Sequence, residues 1–132
     1  MGSVEIMSYV EQIGGNHYNG EYQHWDMVID TNMHYLLGCA TKYLCRYKTD
    51  RYQDLEKAHS FVVKAENHLV KGVHQEDMAS VHLWLSGAGL PLDVEDAIEH
   101  IAYAEYGNAK HAIEKLMEEV AMAEMAGYVD QD

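Results

Sequence analysis

Two basic side chains one helical turn apart are the residues of this chain best suited to chemistry. Lys42 and Arg46 lie four residues apart, so a helix places them on one face, and Tyr43 and Tyr47 form a neighbouring pair with the same spacing. Lys48 follows directly. A guanidinium binds phosphate oxygens through two parallel hydrogen bonds, an ammonium adds a mobile point charge, and a tyrosine ring stacks on a base. The pattern predicts a site for a phosphate attached to a flat base.

The basic residues are concentrated in an otherwise acidic chain. The formal net charge is −13, from 9 Lys and Arg against 22 Asp and Glu, and five of those basic residues fall within residues 42–57. Such a protein repels polyphosphate backbones, so we expect no nucleic-acid partner. The basic segment itself has two interpretations: a local anion site, or a helix pair that forms salt bridges with the acidic surface.

Two further segments carry polar groups that fit either interpretation. Asp54 precedes Lys57 by one helical turn, and its carboxylate can pair with that lysine or orient a substrate hydroxyl or a cation. The segment GGNHY, residues 14–18, has the glycines and asparagine of a turn. A turn, however, has no need of the imidazole and phenol that follow.

The elements that must position these residues are helices. Apolar residues recur every three or four positions in WDMVIDTNM, with Trp25, Val28 and Ile29 on one stripe, and in YLLGCATKYLCRY. The strongest pattern is RYQDLEKAHSFVVKAENHLVKG, which places Leu55, Ala58, Phe61, Val62, Ala65 and Leu69 on one stripe. We expect this helix to end at Gly72.

The C-terminal half has the same character. MASVHLWL predicts a short helix before the turn residues of SGAGLP, and Asp93 is expected to cap a helical segment that reaches Gly127 with a break at Gly107-Asn108. No stretch alternates with a period of two for long enough to make a strand. The sequence therefore predicts one all-α domain over 1–132, a compact bundle of five to seven helices without a substantial sheet, in which residues 77–127 form the C-terminal helices.

Several classes of protein are excluded or disfavoured. No run of about 18 apolar residues predicts a membrane span, and the N-terminus has no basic region typical of a secretory signal. Cys39 and Cys45 lie on different helical faces, as expected for unbridged thiols of a cytoplasmic protein. The nine histidines show no ligand spacing, so we predict no metal site. The Met- and Ala-rich end predicts a homo-oligomer.

Three short motifs follow one another along the chain in the same order as in a known family. GGNHY, GCATKYLCRYK and DLEKAHSFV, within residues 13–70, resemble a small bacteriophage family described as a domain of unknown function or as a nucleotide kinase. Its pattern is Gly-Gly-x-His-Tyr, Gly-Asn-x-x-Lys-Tyr-x-x-Arg, a Lys, and Asp-Leu-x-Lys-Ala. Cys39 stands where that family usually has Asn. The C-terminal half carries no motif of the family.

The resemblance implies an activity. One branch of that family phosphorylates the deoxynucleoside monophosphates dGMP and dTMP without a Walker A loop, and this chain likewise lacks G-x-x-x-x-G-K-[ST]. It implies a protein of the host bacterial cytoplasm that uses a nucleoside triphosphate donor, with Mg²⁺ required by no motif. The implied catalytic residues are His17, Lys42, Arg46 and Asp54. The implied substrate-binding residues are Gly14, Gly15, Asn16, Tyr18, Tyr43, Lys48 and Lys57.

Two other functions are also compatible with the sequence. A protein that binds or sequesters a nucleotide without turnover needs the cationic helix and no acid or base. A helical nucleoside triphosphate pyrophosphohydrolase needs carboxylates at E-x-x-E spacing to bind Mg²⁺. The nearest approach to that spacing is Asp93, Asp96 and Glu99, which equally suit a solvated helix face.

Overall fold

A computed structural model describes residues 22–46 and 50–131, with side chains as far as residue 127. Within these ranges the chain forms six α-helices, one short 3₁₀ helix and no strand, so the all-α prediction is confirmed. The helices are α1 (His24–Thr31), α2 (Tyr35–Leu44), α3 (Arg51–Asn67), the 3₁₀ helix (Gln75–Asp77), α4 (Met78–Ala88), α5 (Leu92–Ala102) and α6 (Tyr106–Gln131).

One apolar core receives side chains from all six helices. Helix α3 lies at its centre, packed between α2 and α6, while α1 packs on α4 and α5 contacts both α2 and α6. The predicted stripe of α3 is largely confirmed, since Leu55, Ala58, Val62 and Ala65 are fully buried. Neither cysteine is bridged, as expected.

The stripe predicted for α1 is wrong at two positions. Trp25 is 48% exposed and Ile29 70% exposed, whereas Val28 packs against the core and Met27 and Thr31 are buried. The Thr31 hydroxyl donates to the Met27 carbonyl oxygen at 2.8 Å, which satisfies this polar group inside the core. In a helix of only 8 residues the periodicity fits two faces, and packing against α4 decides between them.

Helix α3 ends at Asn67 rather than at Gly72. Leu69 takes a positive φ of 53°, and the Val70 amide donates to the Ala65 carbonyl oxygen, which closes the helix in a Schellman motif. Leu69 is consequently exposed, outside the predicted stripe. Gly72 has another role: a β-carbon there would lie 2.6 Å from the Ala102 carbonyl oxygen, so only glycine lets these two backbone segments approach.

The helical segment that follows Pro91 divides earlier than predicted. Ala104 has a φ of 57°, and the Glu105 amide donates to the His100 carbonyl oxygen, so α5 also ends in a Schellman motif. Gly107 is a residue of the first turn of α6 and marks no break. Asp93 lies inside the first turn of α5, because Pro91 occupies the N-cap position.

Candidate functional site

The candidate site lies where α2 ends and α3 begins. The Asp50 side chain caps α3 by accepting a hydrogen bond from the Gln53 amide at 2.9 Å. One residue later, the Arg51 guanidinium donates to the carbonyl oxygens of Leu44 and Arg46, at 2.8 and 2.9 Å. Arg51 therefore satisfies carbonyls that the end of α2 leaves without helical partners, and it ties the two helices together.

Three cations surround one aromatic ring beside this junction. The Nζ atoms of Lys42 and Lys57 each lie 5.3 Å from the centre of the Tyr43 ring, and the Cζ atom of Arg46 lies 5.5 Å from it. We call Lys42, Arg46 and Lys57 the cation cluster. Tyr43 is in turn held by Phe61 of α3, with parallel rings 5.8 Å apart. Arg46 was predicted to share a helical face with Lys42, but α2 ends at Leu44, two residues before it. The junction nevertheless brings together Lys42 of α2, Arg46 just beyond α2 and Lys57 of α3.

None of these three cations forms an ion pair with a carboxylate within the ranges that the structure describes. The ion pairs there involve other basic groups: His59, His82, His100 and Lys110. Lys42 and Lys57 are exposed and Arg46 is half-buried. The salt-bridge interpretation of the basic segment therefore has no support in this part of the chain, and the cluster is accessible to an anion.

Asp54 lies on the first turn of α3 and is only 6% exposed. It forms no ion pair with Lys57, so the expected structural pairing of these two residues is absent from the described ranges. The N-terminal turn of a helix stabilises a carboxylate through the helix dipole. Asp54 is therefore a buried acid one turn before a member of the cation cluster.

His24 is a further residue beside the site, and no motif or spacing in the sequence indicated it. Its Nε2 atom lies 2.7 Å from the Thr41 hydroxyl oxygen, and its ring meets the Trp84 ring edge-on at 5.2 Å. Burial and, to a smaller extent, the positive charge of Lys42 lower the pKa of His24 to about 4. His24 is thus a neutral imidazole in contact with the residue next to Lys42.

The acidic residues considered for a pyrophosphohydrolase do not act as one group. Asp93 and Asp96 line a cleft of about 230 Å³ between α5 and α6, together with His111. Glu99 instead lies 3.6 Å from His82 on α4. Among the residues with described side chains, no three His, Cys, Asp or Glu residues are arranged to hold a metal ion.

Other predicted site residues lie outside the described ranges. These are Gly14, Gly15, Asn16, His17, Tyr18 and Lys48, and also Tyr47. Their roles stay predictions. Of the residues with predicted roles, the structure places Lys42, Tyr43, Arg46, Asp54 and Lys57, and it brings all but Asp54 into contact around one ring.

Comparison of the chain with profiles of protein families, with curated proteins and with solved structures finds no match. No helix in the described ranges has both the length and the apolar character to cross a membrane. The arrangement of side chains is therefore the basis for a functional proposal, beside the motifs of the first half of the chain.

Proposed function

We propose that this protein binds a nucleotide and that Lys42, Arg46 and Lys57 hold its phosphates. The observation that carries the proposal is the convergence of three cations on the Tyr43 ring without a carboxylate partner in the described ranges.

The energetics of the cluster favour an anionic ligand. Lys42, Arg46 and Lys57 each carry a positive charge within 5.5 Å of the Tyr43 ring centre, so any two of these charges are at most about 11 Å apart. This distance is comparable to the Debye length of about 10 Å at 0.1 M salt, so the three charges repel one another. Contact with an aromatic ring offsets only about 0.5–1 kcal/mol per exposed cation. A phosphate chain adds charge-assisted hydrogen bonds to the guanidinium and both ammonium groups and removes the repulsion. The site is therefore better satisfied with an anion bound than without one.

The proposed reaction is transfer of the γ-phosphoryl group of a nucleoside triphosphate to a deoxynucleoside monophosphate. A phosphate oxygen of the acceptor forms the new bond to phosphorus, the bond to the β–γ bridging oxygen breaks, and two nucleoside diphosphates result. Such transfer depends chiefly on positioning and charge neutralisation, which the cation cluster supplies. The resemblance of residues 13–70 to the phage nucleotide kinase family supports this reaction in the cytoplasm of an infected bacterium. Asp54, His17 and Lys48 keep their proposed roles beside the cluster.

Binding without turnover is the second candidate, and the same cluster supports it. A sequestering protein needs the three cations to hold the phosphates and needs no general acid or base. The cation cluster contains neither a carboxylate nor an imidazole. A pyrophosphohydrolase has less support, since Glu99 points to His82 rather than into the cleft lined by Asp93 and Asp96.

One set of measurements tests the proposal. The purified protein is titrated with the four deoxynucleoside monophosphates by calorimetry, and diphosphate formation is followed with ATP or a deoxynucleoside triphosphate as donor, with and without EDTA. We expect micromolar to millimolar binding of at least one monophosphate and formation of its diphosphate. Arg46→Ala should weaken binding by about 1.5–3 kcal/mol, as for a lost charged hydrogen bond, in a protein that stays folded.

The outcomes separate the candidates. Binding with no diphosphate formed under any condition would support sequestration. Unchanged affinity in folded Arg46→Ala protein would remove the cation cluster from the site. No binding of any nucleotide would overturn the proposal as a whole.

A further inference from the structure

The side of α2 that carries Lys42 extends two turns towards the start of the helix. Tyr35, Cys39 and Lys42 are separated by four and three residues within α2, so they share one face. Tyr35 is the first residue of α2 and is 73% exposed. An open aromatic ring therefore lies on the same helical face as Lys42, one of the cations that we assign to phosphate binding.

Tyr43 is less suited to contact a base than its position in the sequence suggested. Phe61 stacks on its ring at 5.8 Å, and the three cations lie around the ring. Tyr35 has no such stacked neighbour among the aromatic contacts of the described residues. The Cys39 side chain, one turn further along α2, raises the pKa of Tyr35 above its ordinary value by hydrogen bonding. The Tyr35 ring is largely open to solvent.

The spacing along α2 suits a nucleotide. Residues seven apart on a helix, such as Tyr35 and Lys42, are separated by about 10 Å along the axis. Side chains on a helix lean towards its N-terminus, so the Tyr35 ring and the Lys42 ammonium are displaced in the same direction and this separation is kept. A ribose bridges the remaining span between a base at Tyr35 and a phosphate at the cluster.

We propose that Tyr35 is the base-binding residue of this nucleotide site and stacks on the base while Lys42 and Arg46 hold the phosphate. The inference rests on the proposed function, because it assumes that the cluster binds a phosphate. Stacking on an aromatic ring tolerates any base, since every base has a π-face. The site should therefore discriminate nucleotides from phosphorylated sugars more strongly than one base from another.

The test compares a nucleoside monophosphate with ribose 5-phosphate, which has the same phosphate and sugar and lacks the base. Affinities of the full chain and three variants are measured by calorimetry. Tyr35→Ala should weaken monophosphate binding about tenfold or more, the effect of losing one stacked base, and leave ribose 5-phosphate binding unchanged. Tyr35→Phe keeps the ring and should bind both ligands as the parent does. Tyr103→Ala, which removes another exposed tyrosine outside α2, is the matched control.

The possible results are distinguishable from failure of the proposed function. If the parent binds the monophosphate and Arg46→Ala weakens it, but Tyr35→Ala has no effect, the cluster stands and the role of Tyr35 is overturned. A parent that binds ribose 5-phosphate as tightly as the monophosphate overturns it as well. Equal losses of both ligands in Tyr35→Ala would mean that Tyr35 supports the helix rather than the base.

Discussion

Lys57 of α3 lies over the ring of Tyr43 of α2, with its Nζ atom 5.3 Å from the ring centre. This contact adds a cation from a second helix to Lys42 of α2 and Arg46, which lies two residues beyond the end of α2. Tyr43 therefore contacts three like charges, and the α2–α3 packing that positions its ring also assembles the candidate site.

The first prediction isolates Lys57 from the general charge of the protein. Lys57→Ala should weaken nucleotide binding by about 1–3 kcal/mol, because a charge-assisted hydrogen bond to phosphate is lost. Lys64→Ala is the matched control: Lys64 is an exposed lysine two turns further along α3, and its removal changes the net charge equally. Calorimetric titration of both variants measures the difference. Equal losses would show that only the net charge matters.

The second prediction separates the roles of two neighbouring arginines. Arg51→Ala removes the guanidinium that bonds the carbonyl oxygens of Leu44 and Arg46. We expect a loss of about 1–3 kcal/mol in the free energy of unfolding, because carbonyls at the end of α2 lose their partner. Arg46→Ala should lower stability by less than about 0.5 kcal/mol, since surface substitutions rarely cost more. Urea unfolding of both variants checks the contrast, and equal destabilisation would contradict it.

The third prediction concerns acid stability. Burial lowers the pKa of His24 from 6.5 to about 4, so the unfolded chain binds this proton at a higher pH than the folded chain does. Stability from this group is therefore complete above pH 6.5 and is lost as the pH falls towards 4, by up to about 3 kcal/mol. Urea unfolding between pH 4 and 7 measures the slope. His24→Gln should flatten it, whereas His111→Gln, at an exposed position, should not.

The fourth prediction concerns the close approach at Gly72. A β-carbon there would lie 2.6 Å from the Ala102 carbonyl oxygen and 2.8 Å from the Tyr103 carbonyl carbon. Gly72→Ala should cost about 1–3 kcal/mol, because backbone atoms must move to admit the methyl group. Gly87→Ala is the control: nothing lies within 4 Å of its β-carbon, and alanine in a helix should stabilise by up to about 1 kcal/mol. Thermal unfolding gives the sign of each effect.

The fifth prediction is a symmetric homo-oligomer formed through the end of α6. Met122 and Met125 are 63% and 69% exposed there, and between Leu116 and residue 127, where the described side chains end, no residue of the helix is buried. Apolar side chains so exposed are better satisfied against a second copy. Light scattering at micromolar concentration should give a multiple of the monomer mass, and Met122→Glu with Met125→Glu should lower it. Ile29→Glu, at an exposed apolar position of α1, is the control. A monomeric parent protein would contradict the prediction.

Local periodicity was enough for the helices and for two of the three cations of the cluster. The stripe of Leu55, Ala58 and Val62 identified the buried face of α3 because its 17 residues repeat the pattern over several turns. The four-residue spacing of Lys42 and Arg46 indicated that they lie close together, and both contact the Tyr43 ring although α2 ends two residues before Arg46. These features depend on neighbours along the chain, so they could be predicted without the packing of the helices.

Tertiary packing decided what lies between helices and where helices stop. The sequence does not show that Lys57 contacts the Tyr43 ring. It also does not show that Arg51 donates to carbonyl oxygens at the end of α2, while Arg46 forms no ion pair within the described ranges. These contacts depend on how α2 and α3 pack. Leu69 and Ala104, which follow the C-caps of α3 and α5, have positive φ values although neither is glycine. Local propensity favoured Gly72 and Gly107 as the breaks, but α3 and α5 end earlier, at Asn67 and Ala102, and a β-carbon on Gly72 would lie against the Ala102 carbonyl oxygen. His24 became a neutral, buried group only because α2 and α4 close over it.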